Sequence, residues 1–203
     1  MFVLPGTDSI KNALINRNGK KGIHLLEGTH IVTGLDVKFE VPMTVSGDGR
    51  EKTFVEGYGF HIKGKKDQHC TFIDLTIQKT DMEGLRGDNG MSFDCRRVKF
   101  DKCGMNGVDA YDTKGRLTNC QVTNCAGSGV FNLDRSTIEI EGEESRIKNN
   151  CTSGRSYDYG LDAASSSSII HLLSPLTKED VSTNNNGGRN YGGDGTIETV
   201  NSF

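Results

Sequence analysis

The repeats of this sequence predict an all-β fold, a single right-handed parallel β-helix (solenoid) preceded by a short N-terminal capping α-helix. The first observation is a near repetition between Phe93 and Val130. The recurring residues, which return after 22 positions, are Val98, Phe100, Cys103, Gly107 and Val108, repeated as Cys120, Val122, Cys125, Gly129 and Val130. A repeat of this length without an internal helical pattern is typical of stacked coils of parallel strands.

The second observation is a glycine followed by an inward apolar residue, which marks each coil. The markers are Gly34-Leu35, Gly59-Phe60, Gly84-Leu85, Gly107-Val108, Gly129-Val130 and Gly160-Leu161, with a late form at Gly195-Thr196-Ile197. Their spacing varies from 22 to 35 residues, which indicates short strands joined by loops of different lengths. Within the strands apolar and polar residues alternate, so one side chain points inward and the next outward.

Residues 7–17 contain the only clear helical pattern in the chain. A side chain among Thr7, Asp8 and Ser9 is expected to cap this helix, and Asn18-Gly19 is expected to end it. We predict that the helix covers the open N-terminal end of the solenoid, where apolar core and unpaired strand edges would otherwise be exposed.

The coils are predicted to occupy residues 22–173, followed by an irregular C-terminal coil over residues 174–203. In that last segment Ser174 is expected to cap a helical turn that has Pro175 at its first position. The run from Thr196 to Val200 is expected to be a last strand, whose free edge offers pairing to another protein chain. The 203 residues are interpreted as a single domain.

The composition suits a narrow core and argues against several function classes. Hydrophobic residues make up 33% of the chain and Trp is absent, which fits a core of small and medium side chains. The formal net charge of −3 argues against nucleic acid as the main partner, because phosphate binding requires a basic surface. No apolar run is long enough to span a bilayer and no signal-like segment is visible, so no membrane partner is expected.

Six cysteines are present, and their spacing favours free thiols over disulfides. Cys103, Cys125 and Cys151 occupy matching places in successive coils, where cysteine packs as a small apolar residue in an interior ladder. A disulfide between adjacent coils is also geometrically possible. Reduced cysteines favour an intracellular or virion location. No close cysteine pair suits zinc, and neither a metal nor a cofactor is expected.

Several stretches follow a known pattern. The segment from Ile23 to Val32 reads I-x-L-x-x-G-x-H-x-V, and a V-x-G-x-G turn follows at Val45 to Gly49. These motifs and the coils after them resemble the pectin-lyase-like superfamily of right-handed β-helix proteins, over roughly residues 8–200. The stretches TKGRLTNCQVTNC and SSSSIIHLLSPLTKEDVSTNN are similar to uncharacterised β-helix proteins of marine algae and large algal viruses. The resemblance implies the fold without selecting an activity, because that superfamily contains lyases, hydrolases, epimerases, phage fibres and inert scaffolds.

Outward residues after the marker glycines are expected to line one outer face of the stack. The binding candidates on this face are Arg86, Asp88, Asp109, Tyr111, Phe131 and Asp162. The catalytic candidates are Asp109, Asp112 and Asp134, because carboxylates one or two strands apart match the separations in retaining and inverting glycosidases. Closely spaced carboxylates also shift each other's pKa, which provides an acid and a base. Tyr111 and Phe131 are expected to stack on a sugar ring.

The same residues also suit an ordinary solvated face, on which Arg86 neutralises Asp88 and Asp109. Aspartate is in any case favoured in the turns that end strands. The five histidines are placed outside this face, and His24 and His30 are interpreted as outward strand residues.

Two short motifs resemble catalytic signatures without completing them. Arg146-Ile147-Lys148 matches the R-I-K of polygalacturonase-like enzymes, whose N-T-D, D-D and G-H-G elements are missing. Tyr159-Gly160-Leu161-Asp162 resembles the start of a mannuronan epimerase motif, but Ala163-Ala164 stands where the motif continues Pro-His-Asp. The sequence therefore favours a non-catalytic β-helix module with a structural or glycan-contacting role in a viral particle or at a cell surface. The alternative is a polysaccharide hydrolase or lyase that uses aspartates of the outer face.

Overall fold

The computed structural model of the chain describes residues 1–201. It contains two short helices, α1 (Ser9–Ile15) and α2 (Lys178–Val181). The strands, in chain order, are β1 (Phe2–Val3), β2 (Gly6–Thr7), β3 (Gly22–Leu25), β4 (Gly28–Ile31), β5 (Val37–Phe39), β6 (Thr44–Gly47), β7 (Thr53–Gly57), β8 (Phe60–Lys63), β9 (His69–Ile73), β10 (Thr76–Thr80), β11 (Leu85–Asp88), β12 (Ser92–Arg96), β13 (Lys99–Asp101), β14 (Val108–Tyr111), β15 (Lys114–Thr118), β16 (Gln121–Thr123), β17 (Val130–Leu133), β18 (Thr137–Glu141), β19 (Arg146–Lys148), β20 (Tyr159–Ala163), β21 (Ile169–Leu173), β22 (Ser182–Thr183), β23 (Arg189–Gly192) and β24 (Thr196–Val200).

The strands form three parallel sheets, which the chain visits in a fixed rotation. Sheet A has the order β1-β3-β6-β9-β12-β15-β18-β21-β24, sheet B the order β2-β4-β7-β10-β13-β16-β19-β22, and sheet C the order β23-β20-β17-β14-β11-β8-β5. Neighbouring strands come from consecutive coils, so Val108 pairs with Leu85 on one side and with Val130 on the other. This arrangement confirms the predicted all-parallel solenoid with a short N-terminal helix.

Inward side chains form apolar columns along the axis of the solenoid. The columns of sheets C and A run through Phe60, Leu85, Val108 and Val130, and through Phe72, Cys95, Leu117 and Ile140. All of these side chains are at most 1% exposed. Each fully buried Val, Leu, Ile or Phe contributes roughly 1.5–3 kcal/mol, so packing between successive coils is the main stabilising contribution.

Three successive corners between sheets A and B are each made by one residue in the left-handed conformation. Asp74, Arg97 and Asn119 follow three successive sheet A strands, with φ between 52° and 54°. This conformation turns the chain sharply, and Asn and Asp adopt it more readily than most residues. After the next sheet A strand, β18, Gly142 makes the turn with a φ of 90°.

The marker glycines lie where the chain enters sheet C and passes close to the next coil. A Cβ atom at Gly107 would lie 2.2 Å from Val122 Cγ1 and 2.8 Å from the carbonyl oxygen of Gly129. Gly84 and Gly160 face atoms of the next coil at similarly short distances. Glycine recurs at these positions because a side chain does not fit there.

Two of the predicted markers are wrong. Leu35 is 69% exposed, and the inward residue of that coil is Val37, which pairs with Phe60. Gly34 adopts a φ of 78° with open space around its Cβ position, so it serves a turn and not a coil contact. The late marker at Gly195 leads into β24, which belongs to sheet A, whereas the other markers lead into sheet C.

The C-terminal segment continues the solenoid regularly, in contrast to the irregular coil that was expected. Strands β22, β23 and β24 each add one strand to a sheet by pairing with β19, β20 and β21. The cap of α2 is also one turn later than predicted. The Thr177 hydroxyl, and not Ser174, accepts a hydrogen bond from the Asp180 N–H at 3.2 Å.

The N-terminal helix α1 is shorter than the predicted 7–17 and buries Ile10 against the first coil. No side chain caps it, because the Asp8 carboxylate instead accepts hydrogen bonds from the N–H and hydroxyl of Thr33, at 2.9 and 2.6 Å. His30, expected to point outward, is fully buried with its Nδ1 2.9 Å from Ser9 Oγ. In β4 the side chain of His30 points inward, and His30 pairs with Val55, which also points inward.

All six cysteines are buried free thiols, which confirms the predicted interior packing of Cys103, Cys125 and Cys151. Burial raises the pKa of the Cys151 thiol to about 12, so this group stays protonated and unreactive near neutral pH. Within residues 1–201, no helix combines the length and the apolar character needed to cross a membrane.

Candidate functional site

The outer face of sheet C carries one continuous row of polar and aromatic side chains, which we call the sheet C column. Strand pairing aligns His61, Arg86, Asp109, Phe131 and Asp162 on five neighbouring strands. These residues alternate along their strands with the inward apolar residues, as the outward phase predicts. At about 4.8 Å per coil, the column extends over about 19 Å of the solenoid.

Asp88 lies beside the column and ties two of its members together. His61 Nε2 donates a hydrogen bond to Asp88 Oδ2 at 2.7 Å, and Arg86 Nε lies 3.2 Å from each carboxylate oxygen. Partial burial opposes the charged form of Arg86, but the neighbouring Asp88 carboxylate outweighs it and raises the pKa of Arg86. The three side chains therefore form a charged, hydrogen-bonded group with little freedom to rearrange.

Arg86 also belongs to an aromatic–arginine cluster with Tyr111 and Phe131. Arg86 Cζ lies 4.6 Å from the centre of the Tyr111 ring, a cation–π distance, and the ring centres of Tyr111 and Phe131 are 5.8 Å apart at an angle of 47°. Burial raises the pKa of Tyr111 to about 12, so its hydroxyl remains a hydrogen-bond donor. All three side chains are partly exposed, so the cluster presents ring surface and a guanidinium to solvent.

Asp109 occupies the centre of the column but is closed off from solvent. It is 1% exposed, and neither of its carboxylate oxygens has a hydrogen-bond partner within the described part of the chain. Burial, and then the negative charge of Glu83, raise the pKa of Asp109 well above its usual range. The charge of Arg86 opposes this rise in the pKa of Asp109, but Arg86 forms its ion pair with Asp88.

Asp162 ends the column in a second buried environment. It is 3% exposed, and Ser128 Oγ donates a hydrogen bond to its Oδ2 at 3.0 Å. Burial is the largest influence and raises the pKa of Asp162 to about 7, with Asp158 acting in the same direction and Ser128 against it. Asp162 is therefore closed off from solvent, and it lies beside Phe131 of the aromatic–arginine cluster on the neighbouring strand.

The three catalytic candidates do not lie together. Asp112 and Asp134 follow the ends of β14 and β17 in the left-handed conformation, with φ of 46° and 52°. They belong to the corner between sheets C and A, where Arg135 Nε donates to Asp112 Oδ1 at 3.3 Å and keeps the pKa of Asp112 low. Asp109 lies within the sheet C column, apart from the corner that holds Asp112 and Asp134.

The sequence identified most of this face but missed two of its properties. Asp109 and Asp162 were expected on a solvated surface, whereas neighbouring coils and the loop residues before each strand bury them. His61 was placed outside the face but is the hydrogen-bond partner of Asp88. The repeat predicts that His61 lies beside Arg86, because 25 residues separate these two side chains and the same number separates Gly59 from Gly84.

The partly exposed members of the column offer aromatic ring surface, a guanidinium and a phenol hydroxyl. Residues 1–201 contain no group of three or more His, Cys, Asp or Glu side chains arranged to hold a metal ion. Two grooves, of about 250 and 280 Å³, lie outside the column, one at the corner between sheets C and A and one on the outer face of sheet A.

The fold and this face define an all-parallel β-solenoid with a polar and aromatic outer column. Residues 2–171 match the family model for a right-handed β-helix region, and the chain belongs to that family. No curated protein and no solved structure shows detectable similarity to the chain.

Proposed function

We propose that this chain is a non-catalytic β-helix module that contacts glycans as a structural part of a larger assembly, such as a viral particle or a cell surface. The observation that carries the proposal is the aromatic–arginine cluster of Arg86, Tyr111 and Phe131. Its rings offer apolar surface for the face of a sugar, while the guanidinium and the Tyr111 hydroxyl donate hydrogen bonds beside them.

The buried carboxylates support a non-catalytic role. A general acid must come within about 3 Å of the atom that it protonates. Asp109 and Asp162 are 1% and 3% exposed, so a bound polysaccharide cannot reach them without rearrangement of the column. Asp112 and Asp134, which are less buried, lie at the corner between sheets C and A.

The C-terminal coil supports a place in an assembly. Among residues 1–201, strands β22, β23 and β24 lie at one end of sheets B, C and A, where a further strand of this or another chain can pair. Another protein chain pairing there would extend the solenoid. The similarity of two stretches to β-helix proteins of algae and algal viruses suits such a setting. Native mass determination at several protein concentrations tests whether the isolated chain associates.

Glycan binding is tested on an array of neutral and acidic oligosaccharides with the wild type and Tyr111→Ala. Loss of ring stacking is expected to weaken binding of neutral glycans by about two- to tenfold, from roughly 0.5–1.5 kcal/mol of aromatic contact. Tyr157→Ala is the matched control, because Tyr157 is 66% exposed and lies in a loop outside the cluster. Equal binding by wild type and Tyr111→Ala would show that the cluster is not the contact surface.

A polysaccharide hydrolase or lyase is the second candidate, favoured by one observation. Asp109 combines a raised pKa with a neighbouring carboxyl group on Glu83, which is the environment of a general acid. A screen of algal polysaccharides with the wild type and Asp109→Asn separates the two functions. Turnover that Asp109→Asn abolishes would replace the non-catalytic proposal, and glycan binding without turnover would support it.

A further inference from the structure

We propose that the corner between sheets C and A holds a second binding groove, for an anionic saccharide, distinct from the aromatic–arginine cluster. The proposal concerns a different surface, so it does not depend on the function assigned to the sheet C column.

The groove consists of two adjoining depressions. The first, of about 250 Å³, lies at the corner and is lined by Lys66, Asp112 and Arg135 among others. The second, of about 280 Å³, lies on the outer face of sheet A. Ser92 and Lys114 line both, so the two depressions form one continuous surface.

The groove runs along the solenoid axis. Strand pairing places His69 beside Ser92 on one side, and Lys114 beside Thr137 on the other, across β9, β12, β15 and β18. Four neighbouring strands at about 4.8 Å spacing span about 14 Å. A groove of that length accommodates several units of an extended chain and exceeds the needs of a single small anion.

Its charge is opposite to that of the whole chain. Four cations line the groove, and two of them, Arg116 and Arg135, are paired with Glu139 and Asp112. Lys66 and Lys114 are exposed, and within the described residues neither has a carboxylate at ion-pair distance. A chain with a net charge of −3 therefore concentrates a surplus of positive charge along this corner.

The mixture of groups selects the chemical class of the ligand. Lys66 and Lys114 suit carboxylate or sulfate groups. Asp112 and Glu139 accept hydrogen bonds, which sugar hydroxyls can donate, whereas a polyphosphate or nucleic-acid backbone supplies little except further negative charge. No Tyr or Trp lines the groove and Phe93 is buried, so His69 and His171 are the only lining rings on which bases would stack. An acidic saccharide satisfies both the cations and the acceptors.

The test is calorimetric titration of the full chain with an oligouronate, a sulfated oligosaccharide, a neutral glucan oligosaccharide of equal length and an oligothymidylate. Binding of an acidic saccharide is expected, and it should weaken at high salt. Any binding of the neutral one belongs to the aromatic–arginine cluster and should change neither with salt nor with Lys114→Met. Lys114→Met should lower the affinity about tenfold, since this cation faces both depressions. Lys148→Met, on the outer face of sheet B, is the matched control and should bind like the wild type.

Three results would overturn the proposal: absence of binding to both acidic probes, equal affinity of the wild type and Lys114→Met, or preference for the oligothymidylate. The titration of Tyr111→Ala keeps the two surfaces separate. Unchanged oligouronate binding by this variant assigns the acidic saccharide to the corner groove, and its loss would assign it to the aromatic–arginine cluster and contradict the proposal. A thermal melt of each variant confirms that it is folded.

Discussion

Two outer columns of the same coils arrange their charges in opposite ways. On sheet A, strand pairing gives a row in which acidic and basic groups alternate from coil to coil, namely Asp94, Arg116, Glu139, His171 and Glu198. On sheet C, the corresponding row passes from His61 and Arg86 to Asp109, Phe131 and Asp162. Arg116 pairs with Glu139 and His171 lies 3.4 Å from Glu198, whereas Asp109 has no partner among the described residues.

The difference shows that the two faces hold their charged groups by different means. Sheet A follows the rule that opposite charges stand beside each other on neighbouring strands. On sheet C, Asp109 is buried without a hydrogen-bond partner in the described part of the chain, and a tyrosine and a phenylalanine are partly exposed. The buried Asp94 of sheet A, in contrast, accepts a hydrogen bond from Arg96 at 2.7 Å. Proteins depart from locally favourable choices mainly at functional sites, which is a further reason to propose a glycan contact at the sheet C column.

The substitution Asp109→Asn should give the largest effect among the tests of this difference between sheets A and C. Because the pKa of Asp109 is raised on folding, the unfolded chain releases this proton more readily, and the wild type loses stability as the pH rises above about 4. Asparagine does not titrate at this position. The free energy of unfolding of the variant, relative to that of the wild type, should therefore rise by about 1.4 kcal/mol per pH unit until Asp109 ionises in the folded protein. Urea unfolding at pH 5 and pH 8 measures the two free energies.

Asp112→Asn is the matched control for that experiment. Its carboxylate is partly exposed and paired with Arg135, which lowers the pKa of Asp112, so stability from this group is lost as the pH falls. The variant should be equal to or slightly less stable than the wild type at pH 8. If both substitutions shifted stability in the same direction with pH, the difference between buried and exposed aspartates would be refuted.

Asp162→Asn should also stabilise the protein at high pH, as Asp109→Asn does, but by a smaller amount that reaches a limit. Folding raises the pKa of Asp162 to about 7, so the stability it costs accumulates from about pH 4 and levels off above pH 7. The advantage of the variant should reach at most about 4 kcal/mol, and asparagine can still accept the hydrogen bond from Ser128. The difference in unfolding free energy between the variant and the wild type should be constant above pH 8. A difference that still increases there would contradict the pKa assigned to Asp162.

The sheet A row should give the smallest effect. Arg116 and Glu139 are 48% and 33% exposed, and pairs of this kind contribute roughly 0.2–1 kcal/mol. A double-mutant cycle with Arg116→Met and Glu139→Gln should return a coupling energy in that range, reduced at high salt. A coupling energy larger than the effect of Asp109→Asn at pH 8 would reverse the comparison between the two faces.

The repeat predicted the fold because each inward position obeys the same two constraints in every coil. Gly107 and Val108 recur since the backbone of one coil touches the next and an apolar side chain must follow, and both requirements are visible in the sequence. Gly34 follows a different rule, that of a turn with positive φ, and its neighbour Leu35 was misassigned for that reason. A glycine alone does not reveal which of the two rules it serves.

The sequence predicts which side chains of the candidate site point outward, but it does not predict how deeply they are buried. Alternation fixes that Asp109 and Asp162 point outward, and the register of the repeat places them in one column. Their exposure depends on side chains such as Glu83 and Ser128, which lie in loops of variable length that periodicity does not describe. The corner groove was missed for a related reason, since Lys66 and Lys114 come together only through three-dimensional stacking.

The stacked glycines at the entry to sheet C limit how the length of this chain can change during evolution. Each coil meets its neighbours through the same contacts, so duplication or loss of a whole coil leaves every remaining contact in place. Extra residues in the exposed stretch from 152 to 157 leave the strands untouched. Deletion of one residue within β14 would instead turn Asp109 toward the core and Val108 outward. Evolutionary variation of this protein should therefore occur in complete coils and in loops, and rarely within strands.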